Sequence, residues 1–466
     1  MLHILNRLAF GPTAEDFLYV KMVGVERYIA EQLDPTNIPE PFALRLRLAE
    51  LNSLGLGAAE LRQFYGPLRP VNGSKPTLEE IKAQQQRAAL VEREAAEARI
   101  LRAVMSRRQL EQVMVNFWFN HFNIFAEDGL ERIWIGNYEE RAIRPYALGQ
   151  FRDLLFAVAK HPAMLVYLDN TQNTAVAGSG QDHLNENFAR EVMELHTLGP
   201  DGGYSQADVE TLARVFTGWR INRLDGSELP GVAAVFEGPH HDYAPKVFLG
   251  RQLRSRGRAE GEEALDVLAS SPATARHIAF QLAQYFVVDA PPAALVDRLA
   301  ARFLATGGNI RQTLKTLFDS PEFWASVGEK YKTPYEFVIS AARAADLPID
   351  NVRPLLNWMN RLGMPLYGCA TPDGYKNTAE AWLSPDATIQ RIAFAAAFSR
   401  GALPVAAAAD GVPDLAYSGE RRLVDPKHLM TIFGSTLTGE VRAVINSAPA
   451  GERAALLLGS PDFMRR

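Results

Sequence analysis

A chain of 466 residues that is 47% hydrophobic and 22% charged can bury a sizeable core, as one large domain or as two to three ordinary ones. A net charge of −5, with Lys and Arg scattered along the chain, excludes an electrostatic footprint for nucleic acid. No stretch approaches the roughly 18 uninterrupted apolar residues of a spanning helix, and the single cysteine, Cys369, excludes both an internal disulfide and a CxxC zinc pair.

The start, MLHILNRLAFGPT, places Asn6 and Arg7 where a signal peptide keeps an apolar run, so it does not read as one. A leader removed before Met1 is compatible with that. Thr13 with Asp16, and Thr77 with Glu80, have the spacing of capping boxes. From Thr77 to Glu127 there is neither proline nor glycine. This segment opens polar (EEIKAQQQRAALVEREAAEAR) and ends apolar (VMVNFWFNHFNIF), which predicts a helix, broken at most once, that enters the core at its C-terminal end. Apolar heptads are not sustained in the polar half, so it reads as a solvated face and not as a coiled coil.

Further helices are expected over 138–144, 147–160, 184–198, 205–217, 262–269, 272–286, 293–305, 310–317, 333–345, 352–362 and 387–398, and from Pro426 onward. Short strands or hairpins are expected at 202–204 and within 221–249. LFDSPEFW (317–324) and LLGSPDFM (457–464) echo one another as a helix end, a Ser-Pro start and an aromatic plug, a capping solution used twice. The Gly, Pro and Ala-rich loops at 170–183, 222–246, 364–380 and 401–419 are too short and too mixed to be interdomain linkers. The fold class is therefore mainly α: one large multi-helix assembly over 1–466, with lobes at 1–75, 76–250 and 251–466.

Chemistry concentrates between Asn116 and Lys246, which hold six of the nine histidines. On a helix over LNENFAREVMELHTLG, Leu184, Phe188, Val192 and Leu195 form a core stripe, with Asn187, Glu191 and Glu194 beside it at i, i+4 and i+7. Two carboxylates one turn apart repel unless one is protonated or both share a cation or an arginine. That arrangement suits general acid/base chemistry or an oxygen-rich metal site, and equally a pair salt-bridged to arginines such as Arg190. His196 lies roughly 160° around the helix from Glu194, so the two cannot close on one ion while the segment stays helical.

Within VMVNFWFNHFNIF, Asn116, Asn120, Asn123 and then Glu127 form one narrow polar seam on an apolar helix. Buried amides need partners, and the Asn187/Glu191/Glu194 seam is the expected one. His121 points away from this seam and reads first as a satisfied core residue. Downstream, Ser205 with Asp208 caps a helix ending near Gly218, and PHHDYAPKVFLG places His240, His241, Asp242 and Lys246 on an irregular loop, either a site edge or a turn with a capping Asp. Trp118, Trp134 and Trp219 offer sugar-stacking surface or simply core. Cys369 has no base in its flanks and does not read as a nucleophile. No GxSxG, HExxH, P-loop or GxGxxG occurs, so no nucleotide, flavin or NAD motif is present. The cofactor left open is a divalent metal held by the helix carboxylates and the His-His-Asp loop.

With these residues in view the chain resembles the bacterial domain-of-unknown-function family 1800. The resemblance rests on LNRLAFGPT, VNFWFNHFN, RAIRPYALGQFRDLLFAVAKHPAMLVYLDN, LNENFAREVMELHTLGPDGGYSQADVETLARVFTGW, HHDYAPKVFLG, YKTPYEFVISAARA, GMPLYGCATPDGY, AWLSP and LLGSPDFMRR, which run from one end of the chain to the other. It implies an exported protein, periplasmic or secreted, acting on an extracellular or envelope polymer and often encoded beside a sulfatase-like partner. Tyr146 stands where the family pattern commonly has histidine, which argues against an obligatory ligand there.

The expectation is thus a hydrolase-like enzyme acting on a polymer such as a glycan. Glu191 and Glu194 would be acid/base groups, Arg190 their charge partner, and His241 and Asp242 auxiliary groups. Asn120, Asn187, Trp219 and Lys246 would bind substrate. The alternative is a non-catalytic binding or assembly protein working with the sulfatase-like partner, its buried polar seams fixing helix register.

Overall fold

In a computed structural model that describes all residues except 68–74, 127–128, 176–182, 223–232, 255 and 407–421, the described residues form 24 α-helices and two antiparallel two-stranded sheets. The chain is mainly α, as its periodicity predicts. Its buried apolar side chains form one contiguous cluster running from Leu2 to Met464.

The capping boxes expected at Thr13/Asp16, Thr77/Glu80 and Ser205/Asp208 are all present. The long segment after Thr77 is broken once: helix Leu78–Met105 ends at Ser106, and a second helix, Gln109–His121, carries Phe117, Trp118 and Phe119 into the core. Gln109 secures that corner, its side-chain amide donating to the carbonyls of Ala103 and Ser106.

Several elements differ from the sequence reading. The segment expected as helix from Tyr138 begins at Glu131, and its continuation is a five-residue π turn, Glu139–Ile143. Such turns re-aim side chains, and this one turns Glu139 and Glu140 toward Arg99, Arg102 and Arg144. Residues 202–204 form a bend and no strand. Strands do form in and around the second stretch expected to hold them, 221–249: Trp219–Ile221 pairs with Ala234–Phe236, and Val247–Phe248 with Arg251–Gln252. The helix expected over 184–198 is shorter, Asn187–Glu194, because its last turn widens: the Glu191 carbonyl accepts from both Leu195 N and, five residues on, His196 N.

No helix among the described residues is long and apolar enough to cross a membrane.

Candidate functional site

A cleft of about 810 Å³ opens beside the C-terminal end of the Gln109–His121 helix, lined among others by Asn116, Asn120, His121, Glu194, His277 and Tyr375. It draws on four stretches far apart in sequence: 116–121, 194–202, 273–296 and 333–378. Most of its wall therefore lies C-terminal to Lys246, outside the region in which the histidine density placed the chemistry.

The asparagine seam exists, but its partners differ from those expected. Asn116 Oδ1 accepts from Arg99 Nη2 at 2.8 Å, and its amide nitrogen lies 3.5 Å from the Tyr285 hydroxyl. Asn120 Nδ2 donates to the Tyr375 carbonyl while its Oδ1 accepts from Tyr375 N, both at 2.8 Å. Asn123 donates to the carbonyls of Cys369 and Thr371 at 2.9 and 2.8 Å. The seam thus grips the 367–376 loop, and the Asn187/Glu191/Glu194 face does not supply its hydrogen bonds. Glu127 lies outside the described residues. Behind Asn116 sits a buried ion cluster in which Glu139 takes Arg99 at 3.0 Å, Arg144 at 2.7 Å and the Tyr367 hydroxyl at 3.0 Å. Burial alone would raise the Glu139 carboxyl, but the surrounding guanidiniums outweigh it and hold it below the ordinary carboxylate range.

The carboxylate helix presents Glu194 to this cleft. Glu191, one turn earlier and half-buried, has its pKa raised, first by burial and then by the charge of Glu194, against an opposing pull from Arg190. Asp373, on the opposite rim, pushes it further in the same direction. Tyr204 stands beside the pair, its phenol raised by burial and by Glu194. Arg190 turns toward solvent and binds Glu186 at 2.9 Å, with Gln206 bridging the two. Asn187 is exposed at the first residue of the helix, its N–H capped by Asn185 Oδ1 at 2.9 Å.

Three histidines gather on the other side of Glu194. His121 Nδ1 lies 2.7 Å from the Gln281 amide and its Nε2 lies 3.1 Å from the His196 carbonyl. His277 Nε2 lies 2.9 Å from Gln281 and 3.2 Å from the Leu195 carbonyl. Burial lowers the pKa of all three, His121 to about 4. His196 is sealed against Phe122 and faces away from the cleft that Glu194 lines, so the two share no ligand position.

The His241 loop is drawn elsewhere. His241 is fully buried, Nδ1 against the Thr217 carbonyl at 2.8 Å and Nε2 against Glu260 Oε2 at 3.2 Å. Lys246 Nζ reaches the same Glu260 oxygen at 3.0 Å. Asp242 is a turn former whose Oδ1 accepts from Ala244 N, with Arg214 on its other oxygen. The helix Arg258–Ala269, which supplies Glu260, encloses these groups, so the structure does not bring His241, Asp242 or Lys246 to the cleft. Trp219 is 4% exposed and packs on Gly261, where a Cβ would come within 2.4 Å of its ring. Trp118 and Trp134 are fully buried, their N–H groups bonded to the carbonyls of Ala147 and Ala58. None of the three indoles offers a stacking face. Among the described residues no three His, Cys, Asp or Glu side chains are arranged to hold a metal ion, and a site shared by the helix carboxylates and the His241 loop is not formed.

Of the expected site residues, Glu191, Glu194 and Asn120 stand at or beside the cleft. The reading of the sequence missed His277 and Gln281, which sit one turn apart on helix Pro272–Phe286 with Gln284 another turn on. This is a polar line on an apolar helix, the same signal that exposed the asparagine seam.

The sequence pattern of the family described as protein of unknown function (DUF1800) matches residues 3–465, and the chain belongs to that family. No curated protein and no solved structure matches it.

Proposed function

We propose that this family member is a hydrolase acting on a hydroxyl-rich polymer such as a glycan, with Glu191 and Glu194 as its carboxylate pair. The observation that carries the reading is the raised pKa of Glu191, produced by burial and by Glu194 one turn away at the edge of the cleft. A carboxyl whose proton is held more tightly than usual suits the general acid that protonates a departing oxygen. The charge of Glu194, on the cleft wall, would stabilise positive charge developing at the reacting carbon. The family resemblance supplies the rest of the picture: a periplasmic or secreted setting and an extracellular or envelope substrate.

The test is a screen of glycoside and ester polymers with the purified protein, together with Glu191→Gln and Glu194→Gln and a metal analysis of each. Turnover by the wild type and a loss of about 100-fold or more in kcat for either variant, at unchanged melting temperature, supports the reading. Variants that turn over as the wild type does overturn the assignment.

A second reading, a non-catalytic binding or assembly protein that serves a sulfatase-like partner, is favoured by one observation. Both ends of the Asn120 amide and Asn116 Oδ1 are already taken by internal hydrogen bonds. In that case the screen yields no turnover, while a bound polymer still shifts the melting temperature.

A further inference from the structure

The contacts of His121, Gln281 and His277 admit one satisfactory placement of hydrogens. A carbonyl only accepts, so His121 Nε2, facing the His196 carbonyl at 3.1 Å, carries the proton. His121 is buried and neutral at pH 7, which leaves a lone pair on Nδ1. The end of the Gln281 amide that lies 2.7 Å from that lone pair must then be its NH2, an orientation reached by a half-turn about the last side-chain torsion. The amide oxygen consequently faces His277 Nε2 at 2.9 Å, with the Leu195 carbonyl 3.2 Å from the same nitrogen. Two acceptors on Nε2 place the proton there. The opposite amide orientation would require a buried imidazolium at His121 and would set the His277 lone pair against the Leu195 oxygen.

His277 Nδ1 is therefore the nitrogen with the lone pair, and no hydrogen bond occupies it among the described residues. It stands against Gly199 on the cleft wall, where φ is +84° and a Cβ would approach to 2.9 Å. Any side chain at that position would collide with this nitrogen, and glycine leaves the room.

We propose that His277 is the general base of this cleft, with Gln281 and His121 as positioning residues that fix its tautomer. The proposal rests on the enzymatic reading of the same cleft. In the step, a water O–H gives its proton to His277 Nδ1 as the oxygen bonds to the scissile carbon. The bond to the leaving oxygen breaks, and that oxygen takes the Glu191 proton. The imidazolium then passes its proton through solvent to the Glu191 carboxylate, which restores both groups. Burial, working against the Leu195 hydrogen bond, lowers the His277 pKa and keeps the lone pair free at neutral pH.

Two measurements on the full chain decide this without a substrate. Long-range 1H–15N spectra of histidine-labelled protein at pH 7.5 should show His121 and His277 as neutral Nε2–H tautomers, and Gln281→Leu should shift His277 toward a mixture. Diethyl pyrocarbonate, mapped by mass spectrometry, should modify His277 under conditions that fully modify the exposed His183, and should leave His121 and His196 intact. An Nδ1–H tautomer, an imidazolium or an unmodified His277 overturns the proposal. On a substrate found by the screen, His277→Gln, which keeps an N–H toward Leu195, should lower kcat about 100-fold or more with KM and melting temperature unchanged. An unchanged kcat overturns the base role and leaves the Glu191/Glu194 assignment standing. A screen with no turnover by the wild type removes the enzymatic reading and the base role together, while the spectra still report whether the acceptor is held as described.

Discussion

Asn120 and Tyr375, 255 positions apart, exchange a reciprocal pair of hydrogen bonds, amide nitrogen to carbonyl and peptide N–H to amide oxygen, each 2.8 Å long. The side chain thereby imitates one rung of a β-ladder and fastens a rim of the cleft to the core helix. Asn120→Ala deletes both bonds and leaves a peptide unit without its partners, so it should cost about 2 kcal/mol of stability. Urea unfolding reads that loss, and hydrogen exchange should show the amide of Tyr375 losing protection before the core does.

Gly374 stands in the same contact. Its φ is +68°, and a Cβ there would lie 2.2 Å from the Asn120 carbonyl oxygen. Gly374→Ala adds left-handed strain to a clash with backbone, and it should destabilise by at least about 2 kcal/mol. A melting temperature equal to that of the wild type would show that the rim does not pass this close to the helix.

Lys246 separates a structural role from a binding one. It is enclosed with Glu260 and His241, so Lys246→Met leaves a buried carboxylate without its main cation and should cost roughly 3–5 kcal/mol. Ligand binding in the cleft should be unchanged, as measured by titration below the melting temperature. A loss of binding in a stably folded variant would put Lys246 back among the substrate contacts.

Acid should unfold the protein in part through its buried histidines. Burial holds His121 to about 4 and His161 to about 3, whereas both return to about 6.5 when the chain unfolds. Between these values the unfolded state binds more protons, so the stability these groups contribute is complete above pH 6.5 and declines as pH falls toward 4. Each histidine contributes a slope of up to about 1.4 kcal/mol per pH unit. His161→Asn should flatten the urea midpoint against pH over this window by about that amount, and an unchanged slope would mean that His161 is protonated in the native state. Glu139, whose carboxyl is held low, adds stability that is lost only further down, as pH falls below the ordinary carboxylate range.

How much of this could be read from the sequence depended on range. Local rules found the capping boxes at Thr13, Thr77 and Ser205, because each is decided within a few residues, and allowed one break in the long helix without placing it after Met105. The 3.6-residue period also isolated the asparagine seam. It could not name the seam's partner, since Tyr375 and Cys369 arrive from the far end of the chain. The His241 loop misled for the opposite reason. Its composition is that of an exposed site edge, but Glu260, on a helix that follows it, encloses the loop and turns its charges inward. His277 was passed over because a histidine outside a dense group draws no attention until helix Pro272–Phe286 is set against Leu195 and Gly199.

The seam touches the 367–375 loop almost wholly through main chain. Asn120 and Asn123 meet peptide groups of Cys369, Thr371 and Tyr375, the Tyr167 hydroxyl meets the Ala370 carbonyl, and Ala126 N meets that of Tyr367. A grip on peptide groups does not read the identity of the residues it holds. Ala370, Thr371, Asp373 and Lys376 are thus open to replacement while the loop keeps its course. The core helix acts as a socket and the loop as an exchangeable insert, through which the rim of the cleft can be retuned to a different ligand without refolding the protein around it.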